Sequence, residues 1–214
     1  QVGAALAAIH GIDLGEVEGL VEEHDALDLL VGLLHGFDDP HPALEAGVRW
    51  LRRRRPGTRR RSLVHGDLRT GNVLIDGDRV VALLDWELAH VGDPLEDLGW
   101  FCVRSWRFGG KGRAGGLGSD ATLLEAYASA GGAPVSAEEL RWHEVLGNLR
   151  WGVITMVQAA THLGGVARSV ELAVIGRRTA EAEWDLLELL AGPDAPAVAE
   201  PVLPTSRPRP APHH

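Results

Sequence analysis

The densest polar stretch of the chain is His65-Gly66-Asp67-Leu68-Arg69-Thr70-Gly71-Asn72, and Asp85-Trp86-Glu87 follows a short way on. A carboxylate and an amide carbonyl, with no sulfur between them, are hard oxygen donors that suit Mg2+ bound together with phosphate oxygens. Asn72 and Asp85 supply that pair. Asp67 lies five residues before Asn72, far enough to face a second reactant in place of the metal. Metal ligands on one side and a carboxylate at the attacking group on the other is the layout of phosphoryl transfer, in which positioning and charge neutralisation do most of the catalysis.

These residues need elements that hold them together. Ser62-Leu63-Val64 reads as a short strand, so the polar loop starts from a rigid strand end. Val73-Leu74-Ile75 and Val80 to Leu84 read as two more strands joined through Asp76-Gly77-Asp78, a strong hairpin signal. The hairpin folds the chain back and returns Asp85 towards Asn72, bringing Asp67, Asn72 and Asp85 within reach of one point. Around it the periodicity is helical. A first helix ends at Gly11, a weaker one is expected over 16–35, and Pro42 opens a third that stops at Pro56-Gly57. Further helices are expected over 94–106, 119–130, 137–163 and 168–190. The longest should bury Leu140, Val145, Leu149, Val153, Met156 and Ala160 on one face. The outline is mainly α with a small β-hairpin, an α+β fold, with one domain over 1–191. Residues 192–214 read as a disordered tail, because seven of the 12 prolines fall there and little in it can be buried.

Composition excludes several classes of function. At 214 residues with 45% hydrophobic content the chain can bury a core, so wholesale disorder is excluded. A formal charge of −9 argues against a general binder of nucleic acid or anionic membrane. The single cysteine, Cys102, leaves no disulfide framework and no cysteine metal cluster. The charge-free stretch between Arg150 and Arg168 is shorter than a bilayer span and carries Gln158, Thr161 and His162, which makes it a core helix. No signal peptide opens the chain, so a soluble cytoplasmic protein is expected. Seven arginines over 52–61 read as a solvated loop, and no aromatic platform for bases accompanies them. Gly110-Lys111-Gly112-Arg113-Ala114-Gly115 satisfies a dinucleotide fingerprint but lacks the strand that must precede it, and reads as a flexible linker. The ten histidines show no metal-ligand spacing within a helix, so no zinc is expected.

His65-Gly66-Asp67, four residues, and Asn72 resemble the catalytic loop of the aminoglycoside phosphotransferase family, within the protein-kinase-like superfamily. Asp85-Trp86-Glu87 resembles the segment carrying that family's metal-binding aspartate, and Gly92 to Leu98 resembles its following structural segment. Arg177 to Trp184 is similar to the bacterial branch related to acyl-CoA-dehydrogenase-associated phosphotransferases. Three linked motifs in order are more specific than any one of them.

The resemblance implies an ATP- and Mg2+-dependent kinase acting on the hydroxyl of a small molecule, without nucleic-acid or membrane partners. It implies that Asp67 orients or accepts the substrate hydroxyl proton, that Asn72 and Asp85 hold Mg2+, and that Arg69 touches the transferred phosphate. Asp97 should brace the loop by hydrogen bonds, His65 should bond the loop backbone, and Glu87 stays open between a second metal and the substrate. The family also has a β-rich N-terminal lobe with a glycine-rich turn and a strand lysine. Here the sole lysine is Lys111, no glycine cluster precedes His65, and the chain starts at Gln1 with Met156 as its only methionine. The expectation is therefore a C-terminal lobe alone, a fragment of a longer product, with the N-terminal β lobe absent. The alternative is a truncated, non-catalytic domain of kinase origin that binds a ligand. A phosphohydrolase built on Asp67, Asn72 and Asp85 is a weaker third, short of ligands for two metals.

Overall fold

The computed structural model describes residues 1–22, 25–57 and 60–192, so the tail expected over 192–214 lies, apart from Gly192, outside the described residues. The helices are α1 (Val2–His10), α2 (Ala26–Leu34), α3 (Pro42–Arg53), α4 (Leu95–Cys102), α5 (Asp120–Ser129), α6 (Ala137–Leu163), α7 (Val170–Gly176) and α8 (Thr179–Ala191). Four short strands, β1 (Ser62–Val64), β2 (Val73–Asp76), β3 (Arg79–Leu83) and β4 (His90–Gly92), form two antiparallel pairs. The fold is mainly α with small antiparallel sheets, as the sequence indicates.

α6 is the central helix. Ser136 and Glu139 close a reciprocal capping box at its start. Its residues from Trp142 to Leu149 are all buried, so the middle of the helix is enclosed on every side and not along a single stripe. Ala160, expected in the core, is exposed. One cluster packs α2, α3 and α8 against α6 through Leu27, Leu44, Leu51, Val145, Leu149 and Leu186. A second joins α1, Leu68, Val73, α4 and α5 through Leu6, Leu98, Phe101 and Tyr127. α4 reaches α6 closely because Gly99 faces the backbone of His143, where a Cβ would clash.

Several boundaries differ from the periodicity, each for a local reason. The helix expected over 16–35 reduces to a 3-10 turn at Leu14–Glu16 and α2, which starts where the Asp25 carboxylate accepts the N–H groups of Leu27 and Asp28. The 94–106 helix breaks at Val103, with ψ 132°, and resumes as a 3-10 turn over Arg104–Arg107. The 168–190 helix is two: Gly176 is pressed against Ala159 of α6, and the chain turns there into α8. The glycine run is not a flexible linker. Gly115 donates its N–H to Phe101 O at 2.9 Å, Ala114 is buried, and Gly110 and Gly112 sit so close to Gly116 and Gly118 that a Cβ would not fit. Among the described residues of the arginine run, Arg52 to Arg55 and Arg61 are exposed, as expected of a solvated segment, while Arg55 pairs with Asp25, Arg61 with Glu22, and Arg60 with Glu139 and Pro134 O. No helix is long and apolar enough among the described residues to cross a membrane.

Candidate active site

The loop after β1 is suspended from Asp97, in the first turn of α4. That carboxylate is fully buried and accepts the N–H of His65 at 2.8 Å and of Gly66 at 2.9 Å. Its Oδ2 also lies 3.1 Å from His10 Nε2, and His10 Nδ1 is 3.0 Å from the Tyr127 hydroxyl. A carboxylate only accepts, so His10 donates through Nε2 and Nδ1 accepts from Tyr127. α1, α4 and α5 thus converge on one buried acid.

Gly66 makes the sharp turn, with φ +81°, against the backbone carbonyl of Leu88. His65 is fully buried and spans the site. The N–H of Asp67 lies 3.3 Å from His65 Nδ1, so Nε2 carries the proton and donates to Leu84 O at 3.0 Å. The Trp86 ring lies against His65 with centroids 4.4 Å apart. Leu84 N–H donates to Asn72 O at 2.8 Å, which continues the register of β2 and β3 up to Asp85. His65 therefore has the structural place expected of it.

Asp67 receives three hydrogen bonds. Trp100 Nε1 donates to Oδ1 at 2.9 Å, Asn72 Nδ2 donates to Oδ2 at 3.0 Å, and Arg69 Nε donates to Oδ2 at 3.2 Å. The three donors come from α4, the 3-10 turn Thr70–Asn72 and the loop itself, so the carboxylate is held from different directions. Asn72 also donates to Asp67 O at 2.9 Å, which commits its amide nitrogen and leaves Oδ1 as an open acceptor. Asp85 is exposed, with φ +68°, directly after the residue bonded to Asn72. Asn72 Oδ1 and the Asp85 carboxylate are hard donors, few enough to leave coordination positions for phosphate oxygens, and in that they suit Mg2+. Among the described residues no group of three or more His, Cys, Asp or Glu could hold a metal by itself.

Sequence reading singled out Asp67, Arg69, Asn72 and Asp85. The structure joins the first three by direct hydrogen bonds, and Asp85 follows Leu84, whose N–H donates to Asn72 O. Periodicity alone does not single out Trp100, which falls within the helix expected over 94–106. Its signal is its spacing from Asp97: residues three apart share a helix face, so both point at the loop. Thr70 was missed too, and its Oγ1 donates to Gly115 O at 2.7 Å, tying the glycine run under the loop.

A cleft of about 810 Å3 opens beside this site, between α2, the segment Glu87–His90, α4 and α6. Trp100 forms part of its wall, and the Trp100 indole N–H is the one bonded to Asp67. A second cavity of about 860 Å3, between α3, α5, α6 and α8, contains none of the loop residues. Three of its five arginines pair with acids, Arg107 and Arg113 with Glu144 and Arg104 with Asp185 and Glu188, while Arg54 and Arg141 lie over the Trp50 ring. Burial raises the pKa of Glu144, against the opposing pull of Arg113 and Arg107.

The site is thus a carboxylate oriented on a loop between a strand and a β-hairpin, with an amide and a second carboxylate at the hairpin's two ends. Solved structures share the fold. A candidate aminoglycoside phosphotransferase from Ralstonia eutropha superposes with a TM-score of 0.72 at 22% identity, over 87% of this chain and 62% of that one. A choline/ethanolamine kinase family protein from Mesorhizobium loti gives a TM-score of 0.62 at 22% identity, over 90% and 60%. The sequence model of the phosphotransferase enzyme family matches residues 1–144, and the chain belongs to that family. Among curated relatives, mouse acyl-CoA dehydrogenase family member 10 is 41% identical over 64 residues, which is 29% of this chain and 6% of that protein. The chain thus spans under two thirds of these proteins' lengths.

Proposed function

We propose that this chain carries the catalytic loop of a small-molecule kinase that moves the γ-phosphate of ATP to a substrate hydroxyl. The observation that supports this reading is the Asp67 carboxylate, held by Trp100, Asn72 and Arg69, with Asn72 and Asp85 flanking the two ends of the β2–β3 hairpin. Asp67 orients the acceptor hydroxyl and takes its proton as the oxygen attacks phosphorus. Arg69 spends Nε on Asp67, and its terminal nitrogens are free to meet the transferred phosphoryl group. Asn72 and Asp85 are the residues that would hold Mg2+, which when bound neutralises the charge of the nucleotide phosphates.

One observation favours a second requirement. Leu74, Ile75, Val81 and Leu84 expose apolar side chains on and beside the β2–β3 hairpin. A β-rich unit covering them, supplied in the same polypeptide or separately, would complete the nucleotide cleft, and without it the domain binds a ligand and turns nothing over.

The test is transfer of the ATP γ-phosphate to a panel of hydroxylated acceptors, followed by phosphorus NMR, with and without such a unit. Asp67→Ala should lower turnover by roughly 100- to 10,000-fold with the fold intact. Turnover unaffected by that change, or phosphate release from esters without ATP, would refute the reading.

A further inference from the structure

We infer that Trp106 is a positioning residue for the transfer step, one indole ring that sets both the Asp67 carboxylate and the Arg69 guanidinium. The inference rests on the phosphoryl-transfer reading and adds a residue that acts through two others. Trp106 stands on the 3-10 turn Arg104–Arg107, outside the loop and the hairpin, and is buried. Its ring packs on that of Trp100 with centroids 5.0 Å apart, and the Trp100 indole N–H donates to Asp67 Oδ1 at 2.9 Å. The Arg69 guanidinium lies over the same Trp106 ring, 5.8 Å from its centroid, while Arg69 Nε donates to Asp67 Oδ2 at 3.2 Å. The four residues form a closed circuit of contacts. Each oxygen of the carboxylate has one donor that rests on Trp106.

Trp106 is itself held by groups outside the loop. Trp151 of α6 meets its ring at an angle of 65°, with centroids 4.7 Å apart. Its backbone N–H donates to Val103 O at 3.1 Å, where α4 breaks. The next residue, Arg107, donates to Cys102 O at 2.8 Å and to Glu144 Oε1 at 3.2 Å. The ring is therefore a fixed wall, and the loop side chains are set against it.

The wall matters most for Arg69. An arginine joined to a carboxylate through Nε alone keeps much of its rotamer freedom, and an aromatic face under the guanidinium plane restricts it. The Trp106 indole N–H is buried and makes no hydrogen bond among the described residues. A buried donor without a partner disfavours folding, so the ring's faces and not its N–H serve the site. Indole also attracts a cation more strongly than phenyl does. With both groups fixed in advance, the proton acceptor and the cation at the transferred phosphoryl group keep one spacing.

The test compares the full chain with Trp106→Leu and Trp106→Phe by NMR. The signals followed are the Trp100 Nε1–H and the Arg69 Nε–H, identified through Trp100→Phe and Arg69→Lys. Trp106→Leu should speed solvent exchange of both by roughly three- to thirtyfold, the range that a lost ring or cation–π contact gives. The backbone amides of His65 and Gly66, held by Asp97, should keep their protection. Trp106→Phe should retain most of the parent's protection at both side chains. Should Trp106→Leu fail to fold, the native ring decides. Arg69→Met should move the Trp106 Nε1–H resonance and leave in place that of Trp142, which is bonded to Leu51 O.

Unchanged exchange at either side chain, loss shared equally with the His65 and Gly66 amides, or a Trp106 resonance unmoved by Arg69→Met would overturn the inference. A separate arm supplies ATP, the covering β-rich unit and the acceptor that the hydroxyl panel identifies. There Trp106→Leu should lower kcat roughly ten- to a hundredfold with KM for ATP within about twofold, and an unchanged kcat would also overturn the inference. No transfer by the parent chain would refute the kinase reading, whereas the exchange result reports on Trp106 alone.

Discussion

Asp97 is the residue whose removal should damage this fold most, and the size of the effect follows from its bonds. Its carboxylate is fully buried and accepts the backbone N–H groups of His65 and Gly66 and the Nε2 of His10, at 2.8, 2.9 and 3.1 Å. Hydrogen bonds to a charged group contribute about 1.5–3 kcal/mol each, and a buried donor left without a partner costs about 1–3 kcal/mol. Asparagine keeps one acceptor oxygen and turns an NH2 group towards the second backbone donor. Asp97→Asn should therefore cost about 2–4 kcal/mol, and Asp97→Ala, which strands all three donors, about 4–6 kcal/mol. Against a whole-domain stability of about 5–15 kcal/mol the second change approaches unfolding. Urea unfolding followed by circular dichroism measures the cost, and the asparagine variant should melt roughly 5–15 °C lower than the parent. Hydrogen exchange locates the damage: the amides of His65 and Gly66 should lose protection before those of α6. An asparagine variant within about 0.5 kcal/mol of the parent, or uniform loss of protection across the domain, would refute the claim that one carboxylate suspends the loop.

Two further substitutions test other parts of the same picture. Gly66→Ala should cost about 3 kcal/mol or more, since φ is +81° and the new Cβ meets the Leu88 carbonyl. Gly77→Ala, at φ +61° with open space around it, should cost only about 1 kcal/mol in the same urea assay. Asp185 has its pKa pushed up to about 6 by burial, in spite of Arg104 at 3.4 Å. A carboxyl whose folded pKa exceeds its unfolded one is most favourable to folding when protonated. The penalty therefore appears as pH rises from about 4 to 6 and stays constant above. Asp185→Asn should raise stability by about 1–3 kcal/mol at pH 7.5 and leave it unchanged near pH 4. Thermal melts at the two pH values check this, and equal shifts at both would contradict the assigned cause.

What the chain reveals before folding is local. The Asp-Gly turn between β-branched runs places the hairpin, because only a few residues can adopt its backbone angles. The capping box at Ser136 places the start of α6, because side chain and backbone satisfy each other within four residues. The order of Asp67, Asn72 and Asp85 around that hairpin already marks the candidate site. β4 was invisible, since His90-Val91-Gly92 is a strand only through pairing with Val64, Leu63 and Ser62, far back in the chain. The glycine run looked like a linker because its partners, Thr70 and Phe101, lie on other segments.

The same division holds within the site. Residue types near one another in sequence announced a carboxylate, an amide and a second carboxylate. Which donors hold that carboxylate was decided in three dimensions, where α4 carries Trp100 onto Asp67 and α6 lays Arg150 across the Trp100 ring. A helix period tells which residues share a face but not what the face meets. That is set by the close crossing of α4 and α6 at Gly99, where burial of both helices outweighs any preference of either one alone.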